Sequence, residues 1–124
     1  MNFEIQTTSY FDREAKRMAK RHRSFIDDLM ALRDSLLANP YQGTELSPGI
    51  RKVRLSIGSK GRGKSGGARV ITFTYLIDER SGAVVLLLLY DKADASSVKV
   101  NVVRQILDDL GYDLQLLQDE GRLK

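Results

Sequence analysis

The residues Ala83–Tyr90, AVVLLLLY, form an unbroken apolar run of eight in a chain of 124. Side chains of a strand alternate between its two faces, so a strand of this composition offers neither face to water. As a membrane span the run is far too short, since a helix needs about 20 apolar residues to cross a bilayer. It therefore predicts a central strand of a sheet, buried on both sides. The opening MNFEIQTTSY carries no basic-then-apolar leader pattern, and the expectation is a cytoplasmic protein with no membrane partner.

The flanking segments supply the other elements. FEIQT alternates and reads as a short first strand. Ser9 with Asp12 resembles a capping box, and Phe11, Ala15, Met18 and His22 then recur at helical spacing. Ser24 with Asp27 starts a second helix with Phe25, Leu29, Leu32 and Leu36 on its apolar face, and Asn39-Pro40 ends it. YQGTELSPG reads as a loop. IRKVRLSI alternates, with Val53, Leu55 and Ile57 on one side and Lys52, Arg54 and Ser56 on the other. ARVITFTYLI is a strand by its β-branched and aromatic content, and Asp78–Gly82 turns it into the apolar run. From about Ala95 helical spacing returns, with Val98, Val102, Ile106, Leu110, Leu114 and Leu117 in a stripe interrupted or bent near Gly111. The order is β-α-α-β-β-β-α. It implies one α+β domain over residues 1–124, with a small curved, mainly antiparallel four-stranded sheet packed with helices.

Charge is distributed unevenly. Between Leu46 and Ile77 lie Arg51, Lys52, Arg54, Lys60, Arg62, Lys64 and Arg69 with no acidic residue, in a chain of net charge +4. An acid-free basic cluster fits a polyanion, nucleic acid first, although a solvated basic face has the same composition. The chain has no cysteine, which removes disulfides and thiolate metal sites.

Within the cluster, Gly58–Ser65 spells the phosphate-binding pattern G-x-x-x-x-G-K-S. That pattern works by opening a helix whose free N–H groups face the phosphates. Here it is followed by Gly66-Gly67, each costing about 1 kcal/mol inside a helix, and then by strand composition. A nucleotide cofactor is not expected. The segment reads instead as a hairpin loop presenting Lys60, Arg62 and Lys64.

GIRKVRLSIGSKGRGKSGGARVITF followed by LLLLYDKADASSV, with LLANPYQGTEL upstream, resembles the RelE/HigB-like toxins of bacterial type II toxin–antitoxin modules. The resemblance spans nearly the whole chain. It implies a ribosome-dependent mRNA endonuclease without metal or other cofactor. Its implied partners are a cognate antitoxin of the helix-turn-helix type and the ribosome carrying mRNA and 16S rRNA. Carried over by position, it places catalytic residues at Lys52, Arg54, Arg69, Tyr90 and Lys92, and RNA contacts at Arg51, Lys60, Arg62 and Lys64.

Chemistry accommodates those roles. Cleavage by the 2′-hydroxyl needs a base, cations around the pentavalent phosphate, and an acid for the 5′-oxygen. Lys52 is the expected base, Arg54 and Arg69 the clamp, and Tyr90 or Lys92 the acid or a stacking group. Alternation sets Arg69 in phase with Ile71 and Phe73, so it joins the Lys52 face only if those two lie off the core or the strand is bulged near Gly66-Gly67.

His22 is expected to be a packed structural histidine and Asp91 a turn or cap residue. The basic residues of the first helix, Arg13, Lys16, Arg17, Lys20, Arg21 and Arg23, either line a solvated face or touch ribosomal RNA. Two alternatives stand beside this reading: a gyrase inhibitor similar to the ParE-like toxins on the same fold, a kind that lacks the basic set found here at Lys52, Arg54, Arg69 and Tyr90, and a basic RNA-binding module without catalysis.

Overall fold

The computed structural model describes residues 1–60, 66–95 and 97–124. The elements are β1 (Asn2–Thr7), α1 (Ser9–Arg21), α2 (Phe25–Ala38), β2 (Thr44–Ser47), β3 (Ile50–Leu55), a 3-10 turn (Gly58–Lys60), β4 (Ala68–Leu76), β5 (Ser81–Asp91), α3 (Val100–Asp109) and α4 (Leu114–Asp119). The α+β class is as expected. The sheet, however, has five strands in the order β1-β5-β4-β3-β2, and it is mixed: β1 runs parallel to β5 while every other pair is antiparallel.

The extra strand lies inside the segment expected to be a loop. Its turn residues are real, since Gly43 and Gly49 take φ of 105° and 80°, and Pro48-Gly49 suits a turn with positive φ at its second central residue. Between them Thr44 pairs with Lys52, Glu45 with Arg51 and Ser47 with Ile50, with a bulge after Glu45. Four residues of polar, irregular edge strand show no usable alternation.

β5 is an interior strand between β1 and β4, buried on both faces as its composition demands, although β4 and not β5 stands at the centre of the sheet. Two separate cores lie against the sheet. On one face Val53, Leu55, Val70, Val84, Leu86 and Leu89 pack with Phe11, Met18, Phe25, Leu32 and Leu36 of α1 and α2. On the other, Ile71, Phe73, Val85 and Leu87 pack with Val103, Leu107, Leu114 and Leu117 of α3 and α4. Full burial of each such side chain contributes roughly 1.5–3 kcal/mol, so both layers are needed to offset the cost of ordering β5.

Thr8, rather than Ser9, caps α1: its hydroxyl accepts from the Phe11 N–H at 3.1 Å and donates to the Leu87 carbonyl at 2.7 Å. Ser24 stands at the start of α2 but its side chain makes no cap bond with the helix backbone. The helical stretch expected from about Ala95 starts at Val100, and of the two readings near Gly111 the interruption is the one found, since α3 ends at Asp109 and α4 begins at Leu114. With Gly111 at φ 95°, its N–H donates to the Asp108 carbonyl at 2.9 Å and that of Tyr112 to the Leu107 carbonyl at 3.0 Å. This glycine stop satisfies the last carbonyls of α3. Asp113 then caps α4 by accepting from the Leu116 N–H at 3.0 Å. Among the described residues no helix is long and apolar enough to cross a membrane.

Candidate functional site

Residues directly opposite one another on neighbouring strands share a face. Arg54 of β3 pairs with Arg69 of β4, and Arg69 pairs with Tyr90 of β5, which puts three of the expected site residues in one row across the sheet. The adjacent row is Lys52, Ile71 and Leu88. Lys52, Arg54, Arg69 and Tyr90 therefore stand on the same face. It is the face of Ile71 and Phe73, and those two are core residues. The condition set on Arg69 by its phase is resolved another way. Both sheet faces carry a core, and Arg69 sits at the end of the second one.

A bulge places Tyr90 there. The β4–β5 register jumps between Ile71, opposite Leu88, and Thr72, opposite Leu86, so Leu87 is the extra residue. Before it the even-numbered residues Val84 and Leu86 face α1 and α2; after it the odd-numbered Leu89 does. Leu88 and Tyr90 thereby turn towards the second core, while Asp91 turns towards α1. Bulges re-aim side chains in this way.

The row grades from exposed to covered. Arg54 is exposed, Lys52 and Tyr90 are half-buried, and Arg69 is 6% exposed, with one guanidinium N–H donating to the Ala68 carbonyl at 3.0 Å. Arg54 opposite Arg69 sets like charges across a strand pair, which is unfavourable alone and favours an anion on this surface. The Tyr90 hydroxyl is buried without a hydrogen-bond partner among the described residues. Burial holds its pKa above the ordinary phenol value, and the nearby Arg69 charge opposes that shift. The phenol is thus kept protonated and able to donate. Beside the row, a shallow groove of about 350 Å³ is lined by Gln42, Gly43, Thr44, Lys52, Val53 and Arg54.

Lys92 follows in the turn after β5, half-buried, with its backbone N–H donating to the Gly67 carbonyl at 3.1 Å. Gly67 is required here, because a Cβ at that position would run into the Leu55 carbonyl. Arg62 and Lys64, expected to meet RNA, lie outside the described residues, as does the side chain of Lys60.

Arg51 is not part of this surface. Alternation turns it to the α1 and α2 side, where it is 7% exposed, 5.6 Å from the centre of the Tyr41 ring, and donates to the Lys124 backbone carbonyl. It also forms an ion pair with Glu45 at 3.5 Å. Neighbours on a strand point apart, so Arg51, expected as an RNA contact, lies on the opposite face from Lys52.

Other side chains frame the site from a distance that no sequence spacing reveals. Ser24 and Asp28 of the α1–α2 corner hold the loop entry: Ser59 N–H donates to the Ser24 hydroxyl at 2.8 Å and Gly58 N–H to Asp28 at 3.0 Å. The Ser24 hydroxyl itself donates to Asp28 at 2.7 Å. His22 is 15% exposed in its side chain, and its Nε2 lies 3.2 Å from Asp91. Asp91 is the last residue of β5 and caps the turn after it, the cap role expected of it, its carboxylate accepting from the Ala93 N–H at 2.9 Å. On the other face Arg104 of α3 donates to the Ser47 hydroxyl at 3.0 Å, tying α3 to β2. Of the α1 cations, Arg17 pairs with Glu14 and Arg21 with Asp94 and Asp91. Among the described residues no group of three or more His, Asp or Glu could hold a metal ion.

The chain matches no protein-family model.

Proposed function

We propose that this chain is a ribosome-dependent mRNA endonuclease of the RelE/HigB-like toxin kind, held in check by a cognate antitoxin. The observation that carries this reading is the cross-strand row Arg54–Arg69–Tyr90 with Lys52 two residues along β3 on the same face. A base, two guanidinium groups and a protonated phenol in one patch are what metal-independent RNA cleavage asks for.

In the reaction Lys52 takes the proton of the 2′-hydroxyl, and that oxygen attacks the adjacent phosphorus. The phosphorus–5′-oxygen bond breaks, leaving a 2′,3′-cyclic phosphate and a 5′-hydroxyl. Exposed Arg54 meets the phosphate oxygens directly. Arg69, largely covered, supplies positive charge from beneath, where low exposure to water strengthens its field. Tyr90 or Lys92 returns a proton to the departing 5′-oxygen. The groove along Lys52 and Arg54 gives the RNA backbone a course beside the row.

The test is addition of the protein to a purified translation system, with mapping of mRNA 5′-ends. Cuts within the codon held in the ribosomal A site support the reading. Intact mRNA, whether with gyrase–DNA adducts in a parallel assay or with salt-sensitive RNA binding alone, overturns it.

A further inference from the structure

Asp91 is 1% exposed, and a buried carboxylate must be paired or hydrogen-bonded to remain ionised. One oxygen accepts from the Ala93 N–H; the other lies 3.2 Å from His22 Nε2 and 3.4 Å from Arg21. An ionised carboxylate only accepts, so an imidazole with its proton on Nε2 donates to Asp91 at this distance. The Arg21 side chain is 40% exposed and also bonds Asp94 at 2.8 Å, whereas the imidazole is largely enclosed at 15% exposure.

Asp91 sits between Tyr90, which faces the cationic row, and Lys92, whose N–H bonds Gly67 at the exit of the glycine-rich loop. The backbone cannot rotate at Asp91 without moving both. His22 in turn is fixed as the C-terminal cap of α1, its N–H donating to the Met18 carbonyl at 2.9 Å. Two residues on, Ser24 holds the entry of the same loop through Ser59. The α1–α2 corner thus grips Gly58 and Ser59 after β3 and the end of β5, whose next residue bonds Gly67.

We propose that His22 is a positioning residue for Tyr90 and Lys92: its imidazole grips Asp91 and so fixes the direction in which β5 delivers the two side chains that flank it. The inference rests on the mRNA-endonuclease reading for its catalytic consequence, but its geometric content stands apart from that reading.

The experiment compares wild type, His22→Leu and His22→Gln in two arms. In the first, amide hydrogen exchange is followed residue by residue. His22→Leu is expected to speed exchange at Lys92 and Ala93 by about tenfold while the centre of β5 is unchanged, and His22→Gln, which retains an N–H donor, to restore most of the protection. In the second, ribosomal mRNA cleavage by His22→Leu should fall about tenfold in kcat with little change in KM, again restored by His22→Gln. Unchanged exchange at Lys92 and Ala93 overturns the proposal. So does acceleration spread evenly along β5, which would mark a role in global stability only, or failure of a folded His22→Gln to restore either readout. If wild type does not cut mRNA at all, the endonuclease reading fails, and the exchange arm alone decides whether His22 fixes the strand end.

Discussion

The two faces of the sheet are both apolar at their centres and differ at the end near Asp91. Under α1 and α2 the core runs on through Leu55, Ala68 and Leu89, and Thr8, His22 and Asp91 close it with paired polar groups. Under α3 and α4 the dry packing centres on Phe73, which lies 5.3 Å from Tyr75 and 5.0 Å from Tyr112 between ring centres. It thins towards Leu88 and Tyr90, which are only partly buried, and gives way to Arg54 and Arg69. At this end of the sheet the apolar cover stops short and charged side chains take over. Adjacent residues can fall on opposite sides of that divide, as Tyr90 and Asp91 do.

The largest expected effect separates the dry part of the second face from its charged end. Phe73→Ala should cost about 3–5 kcal/mol in urea unfolding, because it removes the ring at the centre of the aromatic cluster. Tyr90→Phe should leave stability within about 0.5 kcal/mol, since it deletes a hydroxyl that bonds nothing among the described residues. Equal losses for the two would erase the distinction between core and site. Next comes Arg69→Ala: under the proposed endonuclease function, ribosomal cleavage should fall about 10²–10³-fold while a folded protein remains by circular dichroism. Arg69→Ala cutting mRNA at the wild-type rate would remove this face from the chemistry.

How much of this comparison could be read from the residues depends on range. The run Ala83–Tyr90 required cover on both sides, and the alternation in IRKVRLSI separated Lys52 and Arg54 from Val53 and Leu55 correctly. What stayed hidden was non-local or irregular. β2 is short, polar and bulged, so no period marks it. The bulge at Leu87 lies in a stretch of four leucines, where nothing in the composition shows which residue is the extra one. Arg51 shows how a charge cluster in sequence is split by the strand into two faces. The His22–Asp91 pair joins positions 69 residues apart, a contact that only the packing of α1 against β5 creates.

A smaller effect concerns the two buried-side tyrosines. Burial first, and the neighbouring Tyr75 second, raise the Tyr112 pKa from 10.0 to about 12. A group whose folded pKa lies above its unfolded value stabilises the fold fully below the unfolded value and loses that contribution as pH rises to the folded one. The stability of wild type should therefore fall between pH 10 and about 12, and Tyr112→Phe should flatten that part of the curve measured by urea unfolding. A curve for Tyr112→Phe that falls as steeply as wild type would place the ring in water and weaken the second core's claim to be dry there.

The smallest expected effect tests the split between Arg51 and Arg54 directly. Affinity for single-stranded RNA depends on salt through the phosphates neutralised, and each one contributes about 0.7 to the slope of log K against log salt. Arg54 is exposed on the cationic row, so Arg54→Gln should lower the slope by about that amount. Arg51 is enclosed on the other face by Tyr41, Glu45 and the Lys124 carbonyl, so Arg51→Gln should leave the slope alone and lower unfolding stability instead. The two substitutions remove the same charge three residues apart in one strand. A uniform basic patch predicts equal slopes for both; a divided strand predicts a slope change in one and a stability change in the other. Equal slope losses with unchanged stability would show that Arg51 reaches the RNA, and the assignment of faces in β3 would have to be redrawn.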